Sequence, residues 1–440
     1  MAAPQLVHQH HHGEKPSSPG PGSTSLAYFL PRSAFCLLAG AFLSLSLLHL
    51  LFCSHPGASG INPLMQFFNH TYSSFSSGVG GVHVQSESCD YSEGRWVWAP
   101  GHGRRYNGTE CKVKDGQNCI RNGRPDTGYL DWRWQPAGCR LPAFDAMAFL
   151  TAVRGKHVAF VGDSVARNQA ESLLCLLSAA SPYHLVSGDL EDHFRRWAFE
   201  AYNVTVSVYW APFLVTATGR SANFTIPHDI LHFDALAERW SADADTMDLV
   251  VINVGHWFWG KAIYHNGSEV IGTHLFDTEL NHAAEIGMLR PFREAYRMSL
   301  ERLLGSGRPR TVVCTTFSPS HFEGKSYDDP TSCAKKNPYK DGEKELGSIE
   351  KELRSIVYEE TAEAVAASTN SSNGVRFEVM DVTKLSSLRP DGHPGPYMKR
   401  DPFAHGVPER MPTDCLHFCL PGPVDTFNDI LLQILMTNRR

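Results

Sequence analysis

Residues 156–177 read KHVAFVGDSVARNQAESLLCLL, and two periodicities meet inside them. Lys156 to Gly162 is a short apolar run with β-branched residues, the pattern of a buried strand. Val165, Ala166, Ala170, Leu173, Leu174 and Leu177 then fall at helical spacing. Gly162 permits the tight turn between them. A strand that turns directly into a helix is the repeating unit of an α/β sheet. Three more apolar runs read as strands: MDLVVINV (Met247 to Val254), RTVVCTTF (Arg310 to Phe317) and RFEVMD (Arg376 to Asp381). Helical spacing recurs over Arg290 to Leu304, Ser348 to Ala367 and Val424 to Met436. Continuous apolar strands alternating with helices predict a parallel sheet covered on both faces. Ligands of such sheets gather beyond the carboxyl ends of the strands. There is no internal repeat.

Upstream the pattern changes. Residues 89–142 hold Cys89, Cys111, Cys119 and Cys139 together with Trp96, Trp98, Trp132 and Trp134, without a helical period. Loops, short strands and disulfides are expected there. Ser33 to Cys53, SAFCLLAGAFLSLSLLHLLFC, carries no Asp, Glu, Lys or Arg. As a helix it would cross a hydrocarbon layer of about 30 Å. Lys15 and Arg32 precede it and the next cation is Arg95. The positive-inside rule then puts residues 1–32 in the cytoplasm and the bulk of the chain in the lumen. A cleaved signal peptide is the rival reading, but the stretch is long for that and begins late. A buried core helix would need a polar face, which is lacking. His8, His10, His11 and His12 could be a metal tract, but in a polar Pro/Ser/Gly context they read as part of a disordered tail. Residues 54–88, rich in Ser, Gly and Phe, read as a stem.

Composition narrows the partners. The 440 residues are 42% hydrophobic and 20% charged, with 40 Lys and Arg against 46 Asp and Glu and a net charge of −6. That balance argues against nucleic acid, whose phosphates demand a basic surface. It suits an uncharged ligand such as a sugar chain. Sequons at Asn69, Asn107, Asn203, Asn223, Asn266 and Asn370 all follow the apolar span. With eight cysteines in the body besides Cys314, they point to a glycosylated, oxidised, lumenal protein. Cys314, inside an apolar strand, reads as a buried free thiol.

Three places lie where a parallel sheet puts its ligands. At Gly162-Asp163-Ser164 the serine opens a helix, whose free N–H groups can hold an oxyanion. Asp and Ser are also ordinary helix caps, but Arg167, Asn168 and Gln169 crowd further donors beside the hydroxyl. Asp414-Cys415-Leu416-His417 precedes the last helix. A serine needs a base, usually His, with a carboxylate fixing its tautomer. Cys415-x-His417-x-Cys419 also invites a zinc reading, which the lumenal setting disfavours. After the second strand, Asn253 or the N–H of Gly255 could complete an oxyanion hole. His256, Trp257 and Trp259 follow, and the tryptophans serve equally as core or as a sugar-stacking surface.

Serine first, a second donor later and Asp-His near the C-terminus is the order of GDSL/SGNH esterases. The chain also resembles the trichome-birefringence-like plant polysaccharide O-acetyltransferases over Cys89 to Met436. The resemblance rests on Cys89-Asp90 with Gly94-Arg95-Trp96-Val97 and on NCIRNGRPDTGYLDWRWQPAGCRLP (Asn118 to Pro142). It continues in FVGDSVARNQAESLLCLL (Phe160 to Leu177), Gly255-His256-Trp257, LRPDGHPG (Leu388 to Gly395) and DCLHFCLPGPVDTFNDILLQIL (Asp414 to Leu435). WAPFLVTAT (Trp210 to Thr218) and FSPSHFEG (Phe317 to Gly324) are similar to the xyloglucan branch more than the xylan branch. One departure is the lack of cysteine over Ile271 to Leu280, where some xyloglucan relatives carry Cys-x-x-Cys.

The resemblance implies a three-layer SGNH-like sheet with a smaller disulfide-rich lobe, the acceptor lying between two unequal lobes. It implies Ser164 as nucleophile through an acetyl-enzyme, His417 as base and then acid, and Asp414 as its orienting carboxylate. Gly162, Asp163, Arg167, Asn168, Asn253 and Gly255 would serve the oxyanion or acetyl group, and His256 and Trp257 the substrate. Disulfides are expected as Cys89–Cys139, Cys111–Cys175, Cys119–Cys415 and Cys333–Cys419. It further implies a single-pass type II Golgi protein, with xyloglucan as acceptor and neither bound cofactor nor metal. The acetyl donor, acetyl-CoA or an acetylated carrier, has no motif here, and a membrane protein could supply it. Xylan acetylation, a polysaccharide esterase, a wall-glycan-binding protein with a vestigial triad and a scaffold for glycan synthases are the alternatives.

Overall fold

The computed structural model describes residues 89–102, 104–108, 111–276, 283–371 and 373–437. The expected tail 1–32, span 33–53, stem 54–88 and the Asn69 sequon lie outside them. Among the described residues no helix is long and apolar enough to cross a membrane.

The strands, in chain order, are β1 (Gly94–Trp98), β2 (Trp132–Pro136), β3 (His157–Gly162), β4 (His184–Gly188), β5 (Phe194–Phe199), β6 (Val204–Trp210), β7 (Val215–Gly219), β8 (Asp229–Leu236), β9 (Leu249–Asn253), β10 (Ala262–Asn266), β11 (Glu269–His274), β12 (Arg310–Thr315) and β13 (Val375–Met380). The main helices are α1 (Ala146–Ala152), α2 (Ser164–Leu177), α3 (Leu289–Leu304), α4 (Ser348–Thr369) and α5 (Asp425–Thr437).

A seven-stranded sheet runs β13-β12-β9-β3-β6-β5-β4. Its first five strands are parallel, and the β4–β5 hairpin closes one edge antiparallel. The four sequence-predicted strands are β3, β9, β12 and β13. Side-chain alternation builds the layers. Val158, Phe160, Leu249, Val251 and Val313 face a core shared with α1, α2 and α5. Ala159, Val161, Val250, Ile252, Val312 and Cys314 face the opposite core with α3 and α4. The result is the expected three-layer α/β arrangement, with Cys314 buried as a free thiol.

The sequence reading missed a second sheet, β11-β10-β8-β7, which pairs β8 with β10 in parallel. The β1–β2 ribbon of the cysteine-rich part is tied into the main body: Trp96 and Trp134 pack in the same core as α1, α2 and α5, and the Trp96 indole donates to the Leu385 carbonyl at 2.8 Å.

Cys89 pairs with Cys139 and Cys111 with Cys175. The other two expected pairings are exchanged, since the structure joins Cys119 to Cys419 and Cys333 to Cys415. Backbone register is the reason. The Leu420 N–H donates to the Gln117 carbonyl, laying 419 beside 119, while Met411 and Thr413 donate to Asp328 and Tyr327, laying 415 beside 333.

Candidate active site

β3 delivers Ser164 to the carboxyl edge of the sheet, with Asp163 as N-cap of α2, its carboxylate accepting from the Val165 N–H at 2.9 Å. A Cβ on Gly162 would lie 2.0 Å from the Asn253 carbonyl oxygen. Glycine therefore lets the ends of β3 and β9 close together, and Asp163 N–H donates to that carbonyl at 3.1 Å. Gly255 allows a similar approach, its Cβ position lying 2.7 Å from the Phe317 ring.

His417 comes from the turn before α5. The Asp414 carboxylate accepts from the Leu416 and His417 N–H groups at 3.0 and 2.9 Å, an Asx-type turn. Its other oxygen contacts His417 Nδ1 at 2.8 Å. Nδ1 therefore carries the proton, and Nε2 presents a lone pair. Burial would raise the Asp414 pKa, but His417 and these hydrogen bonds outweigh it and hold the carboxyl below its usual range.

Ser164 and His417 are 5% and 6% exposed and line one cleft of about 920 Å³. The Ser164 hydroxyl and His417 Nε2 are the atoms a serine–histidine pair needs, and neither has a hydrogen-bond partner among the described residues. Aromatic rings continue the cleft wall. Trp257 meets Trp210 edge-on at 5.4 Å, His193 stacks on Trp210 at 5.8 Å, and Phe224 is 55% exposed beside Trp257. Arg167, partly exposed, also lines it.

Other expected site residues have different work. Asn168 is fully buried, and its amide donates to the Phe418 carbonyl and accepts the Phe418 N–H, both at 3.0 Å. It joins α2 to the His417 turn and has little left for an oxyanion. The Gly255 and His256 N–H groups turn toward the Asp163 carboxylate, which takes them from the oxyanion too. Burial pushes the Asp163 carboxyl up to about 6, against these bonds and the nearby His417. His256 does not line the cleft. It is buried beside Phe317 with Nε2 on the Ser318 carbonyl, and burial lowers it to about 3. The Asn253 side-chain amide is buried without a partner and stays available as an oxyanion donor. No group of three or more metal-ligating side chains occurs among the described residues. Cys415 and Cys419 are both in disulfides, so the zinc reading fails.

Trp210, Phe224 and His193 were missed as wall residues. Trp210 had a signal, since it ends a strand beside β3; the others sit on loops with none.

Comparison with known proteins agrees with the α/β fold. Residues 141–434 match the GDSL/SGNH-like acyl-esterase family found in Pmr5 and Cas1p, and residues 87–140 the PMR5 N-terminal domain. Xyloglucan O-acetyltransferase 1 of Arabidopsis thaliana is 49% identical over 380 residues, 86% of this chain and 88% of its own. Xyloglucan O-acetyltransferase 1 of Populus trichocarpa is 45% identical over 90% of this chain and 91% of its own. Protein trichome birefringence-like 25 of Arabidopsis thaliana is 36% identical over 88% and 85%. The chain belongs to the GDSL/SGNH-like acyl-esterase family found in Pmr5 and Cas1p and, within it, to the trichome-birefringence-like proteins.

Proposed function

We propose that this protein transfers acetyl groups to hydroxyls of xyloglucan through an acetyl-serine. The carrying observation is the shared cleft in which the Ser164 hydroxyl and His417 Nε2 both lack protein partners while Asp414 fixes His417. The names and extent of the relatives support the acceptor. Ser164 Oγ attacks the donor carbonyl carbon as its proton passes to His417 Nε2. The oxyanion is held at the α2 N-terminus, with the Asn253 amide as a candidate donor. His417 returns the proton to the leaving group, leaving acetyl-Ser164. A sugar hydroxyl then gives its proton to His417 and attacks the acetyl carbon, and as the intermediate collapses His417 passes that proton to the departing Ser164 Oγ, restoring the free serine. Trp210 and Phe224 offer faces on which a sugar ring can stack, with the buried Trp257 backing them, which would favour the glycan over water.

The donor, an acetyl-CoA or an acetylated carrier, enters the same cleft and needs no bound cofactor or metal. Ser33 to Cys53 anchors the chain in the Golgi membrane with its body in the lumen. Four disulfides support an oxidising compartment. So do the exposed positions of Asn107, Asn203, Asn223, Asn266 and Asn370, where glycans could attach.

The test is mass spectrometry of xyloglucan and xylan oligosaccharides incubated with the purified oxidised protein and an acetyl donor. Acetylated xyloglucan is expected. Acetylated xylan instead would replace the acceptor. Free acetate without acetylated glycan would make the protein an esterase.

A further inference from the structure

Behind the His417 turn lie two histidines that the reaction does not use. His321 and His393 are buried, and His321 Nδ1 sits 2.7 Å from His393 Nε2. Each ring's other nitrogen faces a backbone carbonyl: His321 Nε2 meets Ser387 O at 2.7 Å, and His393 Nδ1 meets His417 O at 2.8 Å. A carbonyl can only accept, so both outer nitrogens carry hydrogen. A neutral imidazole has only one N–H. Two neutral rings would therefore point bare lone pairs at each other across 2.7 Å. One additional proton between the inner nitrogens turns that repulsion into a charge-assisted hydrogen bond.

We infer that His321 and His393 share one proton, forming a buried cation that positions the His417 turn. The grip on the turn is direct. His393 holds the His417 carbonyl and stacks on Phe418 at 4.8 Å, and the His321 backbone N–H donates to the Cys415 carbonyl at 2.9 Å. Three cations oppose the charge: Lys344 and Arg389 act against protonation of His321 and Arg124 against that of His393, the two arginines each being paired with an aspartate, Asp391 and Asp126. His256 and His417 are the neighbouring rings, and Tyr339 lies over His321. Asp414 has no Arg or Lys partner among the described residues, and its charge favours protonation of His393. It is the natural counter-ion. Burial works against protonating each ring separately, taking His393 to about 4 and His321 lower still. A proton held between two nitrogens escapes much of that penalty, because each ring solvates it for the other.

The effect on His417 rests on the reading of His417 as the base; the shared proton does not. Full-length protein labelled with 15N-histidine decides the proton directly, with signals assigned by their loss in His321→Gln and His393→Asn. Three ring N–H protons from the two residues at neutral pH, one strongly downfield, are expected; two would overturn the pair. His321→Gln leaves an amide that can donate to His393 Nε2 without the charge. Its kcat for acetyl transfer should fall about tenfold with KM kept, because the His417 turn loses the charge-assisted pair that holds it. An unchanged kcat with the downfield proton present in wild type would overturn the positioning role. If Ser164→Ala kept transfer activity, the acetyl-serine reading would fail while the proton count stood.

Discussion

The Ser164 hydroxyl makes no hydrogen bond among the described residues, so on the acetyl-serine reading its removal deletes a reagent and breaks no hydrogen bond there. Ser164→Ala is expected to lose about 10³-fold or more in transfer rate while its melting temperature stays with wild type. A matching fall in melting temperature would mean that the serine is structural. Asp414→Asn replaces an acceptor of three hydrogen bonds, two from backbone N–H groups and one at the imidazole. The amide would present an N–H to one of those donors and misset the tautomer, for a loss of about 10³–10⁴ in kcat. The same variant has a pH signature. The Asp414 carboxyl is held below its ordinary 3.8. A depressed carboxyl contributes stability above its unfolded value and loses it as pH falls through the folded one. The stability gap between wild type and Asp414→Asn should therefore be full at neutral pH and close below about pH 4. Denaturant titrations at pH 7 and pH 3 measure it, and a gap unchanged between them would exclude an ionised Asp414.

At the scale of the element, the catalytic geometry is a matter of how α2 and α5 are tied to the His417 turn. Asn168 makes the tie from α2. Asn168→Ala leaves the buried Phe418 N–H and carbonyl unpaired, which should destabilise by roughly 2–4 kcal/mol and reduce activity although nothing on the reaction path is removed. Retained activity with a lowered melting temperature would show that the turn keeps its place without Asn168. α5 begins at Asp425, whose carboxylate receives Ser172, Tyr106 and the Gly422 N–H. Burial raises that carboxyl to about 6, against Arg105 and these bonds. A raised carboxyl favours the fold while protonated, below its unfolded value near 4, and loses that contribution as pH rises through about 6. Relative to wild type, Asp425→Asn should gain about 3 kcal/mol of stability between pH 4 and pH 7. A constant difference would place the charge elsewhere in the Arg105 cluster. β3 and β9, which carry the site, were readable because they are buried on both faces and almost wholly apolar, and β12 and β13 by the apolar run VVC and the β-branched and aromatic residues of VRFEVM. Those of the second sheet were not: HFDAL in β8 and YHN in β10 mix charged and polar residues with apolar ones, since those strands are covered on one side only. The Asp414–His417 pair was readable from spacing. The work of Asn168 and His256 was not, because backbone partners 250 and 62 residues away leave no local pattern.

Across the whole molecule, two disulfides bracket the turn that carries the base. Cys119–Cys419 closes a separation of 300 residues and Cys333–Cys415 one of 82. In the chain-entropy picture the longer one limits the unfolded chain by roughly 5–6 kcal/mol. Reduction, followed by activity and melting temperature together, should lower both. Full activity in a completely reduced sample would mean that packing alone holds the turn. Spacing could not assign the two partners, because Cys415 and Cys419 are four residues apart and only the register of the neighbouring segments separates them. The same arrangement governs when the protein becomes competent. Synthesis at about 5–20 residues per second puts Cys119 roughly 15–60 s ahead of Cys419, so a newly made chain carries its serine long before it can own a base. On the acetyl-serine reading, a nascent chain already presenting Ser164 is expected to stay idle toward the donor until the final turn arrives.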